Sequence, residues 1–315
     1  MPRSQYASPV FDVLIIGLGC AGYTAAVYTA RYKLKTFIVG VEEGGMGMTA
    51  AEVGNWPGII DIPGPDLMEN FKKHALSFGD TVTHAVARVE KIEKIGGGFR
   101  LTLDDGRSVE GKTIIFATGS KKRHLGVPGE EAFSGKGVTY CATCDAFFYR
   151  NKIVAVIGGG DSAVEGAAIA AQVAAKVYLI HRRNEFRAEP YWVDKVKEKP
   201  NVTFVLERQL AEILGEAKVS GVRLDKPFEG SETLAVDGVF IEVGAIPAVE
   251  LPQQLGCTLD PLGFLQVDDA MRTNVAGVFA AGDLTSASNH FAQFTTASGE
   301  GAVAANSAFQ YLSTL

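Results

Sequence analysis

Cys141 and Cys144 pose the sharpest chemical question in this 315-residue sequence. They stand in the run Cys141-Ala142-Thr143-Cys144-Asp145, and three chemistries compete for such a pair. A zinc site needs two further ligands, yet Cys20 and Cys257 are isolated and no His pair lies near. A structural disulfide suits an oxidising compartment. A redox-active dithiol fits best, because this spacing lowers one thiol pKa and allows thiol–disulfide exchange. Exchange needs one thiol deprotonated and another protonated, which makes Asp145 a candidate proton donor and acceptor. The alternative for Asp145 is a turn-forming residue.

Two glycine motifs supply a second kind of chemistry. Gly17-Leu18-Gly19-Cys20-Ala21-Gly22 follows the apolar run Phe11–Ile16 and precedes an Ala-rich stretch, AGYTAAVYTARYKL. A strand, turn, helix and second strand (Lys35–Gly40) in that order make a βαβ unit. Its glycines let backbone N–H groups approach a pyrophosphate at the helix N-terminus. The acidic residue expected about 20 positions on, for a ribose, is displaced; Glu42 and Glu43 are the nearest candidates. Cys20 inside the turn reads as packing.

The pattern recurs from Lys152, with Gly158-Gly159-Gly160-Asp161-Ser162-Ala163 as its turn and a strand ending near Ile180. His181, Arg182 and Arg183 follow, with Arg187 four residues on. An NAD site favours an acid there, whereas a cluster of arginines suits a 2′-phosphate, since guanidinium binds phosphate bidentately. The alternative is a solvated basic surface. A further candidate is Gly282-Asp283, after the strand-like run Gly277–Asp283 and followed by Phe291, Ala292 and Gln293. An aspartate at a strand's C-terminal end can bind a hydroxylated ligand or cap the following segment.

The elements that must position these groups give an α/β fold with two Rossmann-like, three-layer dinucleotide-binding domains. Gly96–Gly98 links two strand-like runs as a hairpin, and the strand Thr113–Ser120 is mirrored by Gly238–Pro247 in the second half. A helix is expected over Thr295–Leu312. If that helix returns to the first domain, the second is an insertion, with crossings near Ser120–His124 and Ala245–Val249. The expected boundaries are 1–121 with 248–315 for the first domain and 122–247 for the second.

Composition limits the alternatives. With 30 Lys+Arg against 36 Asp+Glu the net charge is −6, which argues against a nucleic-acid partner. No apolar run reaches the roughly 18 residues of a membrane helix. Asp12 interrupts the first apolar run and no cleavage site follows, so no signal peptide is expected. A cytoplasmic protein follows from this and from the few cysteines.

Taken together, GLGCAGYTAAVYTAR, EVGNWPG, CATCDAFFYRNK, VAVIGGGDSAVE, HRRNEFRA and GVFAAGD resemble the low-molecular-weight thioredoxin reductases, over essentially the whole chain. The resemblance implies two cofactors, FAD and NADPH, with a flavin between hydride and thiol chemistry. It implies that Gly17, Gly19 and Gly22, with Cys20 and Ala21 between them, cradle the FAD pyrophosphate. Val41, Glu42, Gly45, Met46 and Thr49, together with Asn55, would line the flavin. Gly119 and Gly282 would approach it by backbone, Asp283 would hold its ribityl or phosphate region, and Ala292 and Gln293 would lie near its ring. Gly158, Gly160, Asp161, Ser162 and Ala163 would form the NADPH turn, with His181, Arg182, Arg183 and Arg187 at the 2′-phosphate. Cys144 would sit beside the flavin, Cys141 would attack a thioredoxin-like partner and Asp145 would move the proton. A homodimer and a rotation of the inserted domain about the two crossings are also implied. Three positions depart from the family: Cys20 replaces Pro, Gly44–Thr49 reads GGMGMT in place of GGQLT, and Ala292 replaces Arg.

The competing readings are distinct. A flavin-dependent dithiol oxidase has no need of the arginine cluster. A peroxide-reducing flavoprotein normally carries an extra N-terminal redox domain, and a ferredoxin–NADP reductase lacks the C-x-x-C. A non-catalytic nucleotide-binding redox sensor would sustain no NADPH oxidation with any disulfide.

Overall fold

The computed structural model describes residues 10–315. The signal-peptide expectation concerns the N-terminal stretch, of which residues 1–9 lie outside that range. The chain separates into two compact units: one runs to Lys121 and resumes at Ile246, and the other is Lys122–Ala245.

The first unit begins with β1 (Val10–Ile16), α1 (Cys20–Arg31) and β2 (Thr36–Gly40), the βαβ arrangement expected from the apolar runs. α1 stops at Arg31, short of the expected Leu34, because Lys33 turns left-handed (φ 60°). Then follow α2 (Gly64–Leu76), β3 (Val82–Val86), the hairpin β4 (Val89–Ile95) and β5 (Gly98–Leu103), and β6 (Ser108–Phe116). β3, β2, β1 and β6 are parallel neighbours. β6 is long enough to serve two partners on one edge. Its first half pairs antiparallel with β5 and its last residues, Ile114–Phe116, pair parallel with a strand from the end of the chain.

The chain leaves this unit through β7 (Ser120–Lys122). The second unit holds β8 (Val138–Thr139), the short helix α3 (Ala142–Asp145), β9 (Ile153–Ile157), α4 (Asp161–Ala170), β10 (Lys176–His181), α5 (Pro190–Lys197) and β11 (Val202–Leu206). An antiparallel meander follows: β12 (Leu210–Gly215), β13 (Val219–Phe228) and β14 (Ser231–Ala235). β15 (Gly238–Ile241) then completes a parallel sheet in the order β11-β10-β9-β15-β8. The run Gly238–Pro247, expected as one strand, is two. It breaks at Gly244 (φ 97°) and continues as β16 (Ala245–Pro247), which pairs with β7. The first unit then closes with α6 (Glu250–Gln254), β17 (Val278–Ala280) and α7 (Phe294–Leu312).

Each unit is three layers deep, and strand alternation explains why. In β1, Val13 and Ile15 join the core with α1 and α7, while Leu14 and Ile16 join Ile92, Phe99 and Leu101 of the hairpin. In β9, Val154 and Val156 pack with Ala163, Val164 and Ala167 of α4, while Ala155 and Ile157 pack with Ile213 and Val222 of the meander. Both faces are covered, so the strands read as continuous apolar runs. Val13, Leu14, Ile15, Val154 and Val156 are fully buried, each contributing roughly 1.5–3 kcal/mol.

Candidate active site

In the first unit, the glycines of the β1–α1 turn are fixed by what surrounds them. Gly17 has φ 129°, and a Cβ there would lie 1.9 Å from the Ala117 carbonyl oxygen; one at Gly22 would lie 2.0 Å from the Gly17 oxygen. Gly19 has no atom within 4 Å of that position. Two glycines therefore allow strand and helix to pack, and the third leaves room for a ligand. Gly19 caps α1 without any side-chain hydrogen bond, and the first turn holds no acid. Free N–H groups at such a terminus favour an anion. Cys20 is the first residue of α1, and burial and the Asp283 charge push its thiol up to about 12. It therefore stays a protonated packing residue, with Ala21 buried beside it.

The segment 41–49 is drawn to this turn. Gly44 N donates to Leu18 O at 2.8 Å, and the Gly45 Cβ position lies 3.6 Å from the Gly19 Cα. Val41, Glu42 and Met46 are exposed, and Thr49 Oγ1 donates to Met46 O at 2.8 Å. Of the two ribose candidates, Glu43 is engaged by Lys72 (2.8 Å) and His84 (3.4 Å), which leaves Glu42. Asn55 Nδ2 donates to Gln293 Oε1 at 3.0 Å, joining positions far apart in the chain; Ala292 beside it is exposed. Gly119 instead lies at the crossing, where its carbonyl accepts Ala248 N at 3.0 Å.

Gly282 and Asp283 follow β17, and the next helical turn is capped by Ser286, so Asp283 is no N-cap. The residue that shapes this turn was not singled out from sequence. Buried Glu300 of α7 accepts Gly282 N (2.7 Å), Thr285 Oγ1 (3.1 Å) and Ser288 Oγ (2.6 Å). Burial and the Glu300 charge together push the Asp283 carboxyl upward.

The second unit repeats the turn. Gly158 has φ 147°, and its Cβ would meet the Glu242 carbonyl oxygen at 2.2 Å and Ala163 Cβ at 2.7 Å, while Gly160 is open. Gly160 caps α4, again without a side-chain bond. Asp161 Oδ1 accepts Glu189 N at 2.6 Å and Arg187 N donates to Gly159 O at 2.7 Å, so the arginine loop is tied to the turn at two points. Arg182, Arg183, Arg187 and Ser162 are exposed. His181 differs from them: it is buried, its ring fills the space beside Gly159, and Nε2 lies 3.2 Å from Glu185 O. Burial, with the arginine charges adding, lowers its pKa. It braces the loop as a neutral ring and adds no charge to the cluster.

Cys141 and Cys144 of this unit form a disulfide at the start of α3. Cys144 N donates to Cys141 Sγ at 3.2 Å, and Cys144 is the more exposed of the two. Asp145 closes α3 and takes a short hydrogen bond from Thr139 Oγ1, whose oxygen also accepts Cys141 N at 3.3 Å. Thr139 Oγ1 thus links the Asp145 carboxylate to the Cys141 backbone amide, and α3 continues past Asp145 into the helical turn Ala146–Tyr149. Thr139 was not singled out from sequence, since a lone threonine carries no motif.

Comparison with known proteins adds to this geometry. A family model described as pyridine nucleotide-disulphide oxidoreductase matches residues 11–301. A thioredoxin reductase of Listeria monocytogenes is 40% identical over 310 residues, 97% of this chain and 95% of that protein. The solved thioredoxin reductase of Lactococcus lactis, in its FR conformation, is 38% identical with TM-score 0.91, over 97% of this chain and 100% of the other. That of T. acidophilum is 36% identical with TM-score 0.88, over 95% and 98%.

Proposed function

This chain belongs to the pyridine nucleotide-disulphide oxidoreductase family, and from that premise we propose the course of its reaction as a thioredoxin-disulfide reductase. It is a flavoprotein oxidoreductase that uses FAD and NADPH. The observation that carries the reading is a C-x-x-C disulfide in the same unit as an uncapped glycine turn tied to exposed arginines. A second uncapped turn in the other unit accounts for the second dinucleotide. When bound, FAD supplies the conversion between hydride from NADPH and the electron pair a disulfide takes up.

The residues of the chain divide the remaining work. Gly19 and the N–H groups that open α1 hold the FAD pyrophosphate, with Asp283 and the Asn55–Gln293 pair at the rest of the molecule. Gly160 and the start of α4 hold the NADPH pyrophosphate, and Arg182, Arg183 and Arg187 its 2′-phosphate. Once the pair is reduced, the Cys141 thiolate attacks the thioredoxin disulfide and a mixed disulfide forms as the partner's S–S bond breaks. The Cys144 thiolate then attacks Cys141 Sγ, which releases the second thioredoxin sulfur and restores the Cys141–Cys144 bond. The Cys144 N–H on Cys141 Sγ supports Cys141 as the attacking thiolate. Asp145 supplies the proton the departing thiolate takes.

By resemblance the enzyme is a cytoplasmic homodimer whose crossings β7 and β16 act as its hinge. A redox-active rather than structural disulfide agrees with that compartment. Among the described residues no helix is long and apolar enough to cross a membrane.

Rapid mixing with NADPH or NADH, followed by turnover with thioredoxin, tests the reading. The purified protein should be yellow, with a flavin band near about 450 nm that bleaches faster with NADPH. A protein that takes up no FAD, or oxidises NADPH without reducing any thioredoxin, overturns it.

A further inference from the structure

Glu242 and Lys122 have no place in the reaction described above, yet they meet at its dithiol. Glu242 directly follows β15 and Lys122 ends β7. The Glu242 side chain is 5% exposed. Its Oε1 accepts Ala142 N at 3.2 Å, the amide between the two cysteines' first residue and the rest of the turn. Its Oε2 accepts Lys122 Nζ at 2.9 Å. Its own amide donates to Ile157 O at 2.9 Å, and its carbonyl stands where a Cβ on Gly158 would be. One residue thus touches the dithiol turn, the nucleotide turn and the strand by which the chain enters this unit.

Packing alone does not account for the pair. Burying a carboxylate and an ammonium costs desolvation that their attraction seldom exceeds, so apolar residues would serve stability as well. What an apolar residue cannot do is accept the Ala142 N–H or place a charge there. Resting on the reading that Cys141–Cys144 is the redox pair, we propose that Glu242 is a positioning residue for the dithiol. Its carboxylate fixes the Ala142 amide, and Lys122 cancels its charge so that the thiolate beside it forms at no electrostatic cost. Burial pushes the Glu242 carboxyl upward and Lys122 draws it back, in agreement with this balance.

Other titratable groups on elements around α3 are Asp145 itself, Tyr149 on the following turn, and Asp161 and Glu165 of α4. Glu130, Tyr140 and His124 lie on the approach to it and bond to one another. All of these are unchanged in variants of the pair, so differences between variants report on the pair alone.

The test is the pH profile of Cys141 alkylation by iodoacetamide in the FAD-loaded protein, reduced chemically and read by peptide mass spectrometry. It needs neither nucleotide nor thioredoxin, so it stands apart from the test of the reaction. Glu242→Gln keeps an acceptor for Ala142 N but leaves Lys122 unbalanced, and should lower the midpoint by about half a pH unit or more. Lys122→Met should not lower it, and the double variant should return close to the unsubstituted protein. Glu242→Ala removes the acceptor and should slow thioredoxin turnover several-fold, whereas Glu242→Gln retains most of it. An unmoved midpoint in Glu242→Gln, an equal fall in Lys122→Met, or full turnover in Glu242→Ala overturns the proposal. If Glu242→Ala fails to fold, the Glu242→Gln and Lys122→Met profiles still decide it.

Discussion

The two sulfurs of the dithiol are unequal in their surroundings, and that inequality sets what each substitution does. Cys141 Sγ receives the Cys144 N–H, which suits it to carry negative charge, while Thr139 Oγ1 joins the Cys141 amide to Asp145. In Cys144→Ser, the Cys141 thiolate should therefore attack a single-cysteine thioredoxin activated beforehand as an aryl mixed disulfide, expelling the aryl thiolate and leaving a stable mixed disulfide, seen as a shifted band on a non-reducing gel, because no resolving thiol remains. Cys141→Ser should not. Trapping by Cys141→Ser instead would reverse the two roles. The arginines are also separable at this scale. Replacing Arg182 and Arg183 with Ala should raise KM for NADPH far more than KM for NADH, each lost charge-assisted contact being worth about 1.5–3 kcal/mol. Steady-state kinetics with both nucleotides checks this, and an equal loss with both would make the arginines structural. His181 belongs to a different class from its neighbours, because its buried neutral ring shapes the loop.

At the scale of elements, the Gly282–Asp283 turn depends on a helix that begins further along the chain, at Phe294. Glu300 sits in a stretch of α7 otherwise built of small residues, and Gly301 lets that helix approach α1, since a Cβ there would lie 2.4 Å from the Ala21 carbonyl oxygen. Removing the carboxylate in Glu300→Ala strands two buried donors, Gly282 N and Thr285 Oγ1, and should cost about 2–5 kcal/mol. The thermal midpoint should fall and flavin should be lost on desalting; Glu300→Gln, which still accepts through one oxygen, should lose less. Unchanged melting and flavin content in Glu300→Ala would show that the turn holds itself. This element also marks the limit of what the sequence discloses. Both glycine turns were legible because strand, turn and helix are adjacent, so the local pattern contains its own partners. Glu300, Glu242 and Thr139 were not, because each acts through partners brought near only by the fold. Glu242 meets Ala142 across 100 positions. The one readable hint was Glu300 itself, a lone acid in a helix of small side chains. The break of Gly238–Pro247 into two strands was equally hidden, since its cause is the left-handed Gly244 and the pairing of β16 with β7.

At the scale of the molecule, one unit is continuous in sequence and the other is not. Lys122–Ala245 has a parallel sheet with both faces covered by its own residues, α4 and α5 on one side and the β12–β14 meander on the other. A segment with its own core and its ends at paired strands meets the conditions for folding alone. The first unit has no such independence, because β17, α7 and the Gly282–Asp283 turn arrive only after the second is complete. A fragment spanning 120–248 should therefore be soluble and helical by circular dichroism, and should melt cooperatively. It retains the β9–α4 turn, the arginine loop and the dithiol, so calorimetry should find NADPH binding stronger than NADH binding. It lacks the β1–α1 turn, Asp283 and the Asn55–Gln293 pair, so it should be colourless and its disulfide should survive excess NADPH. Mixing it with chemical reductant should still open the disulfide and allow a single round of thioredoxin reduction. A fragment that aggregates, or whose disulfide NADPH reduces directly, would mean that flavin binding is not separable from nucleotide binding and dithiol chemistry along the boundary between the two units.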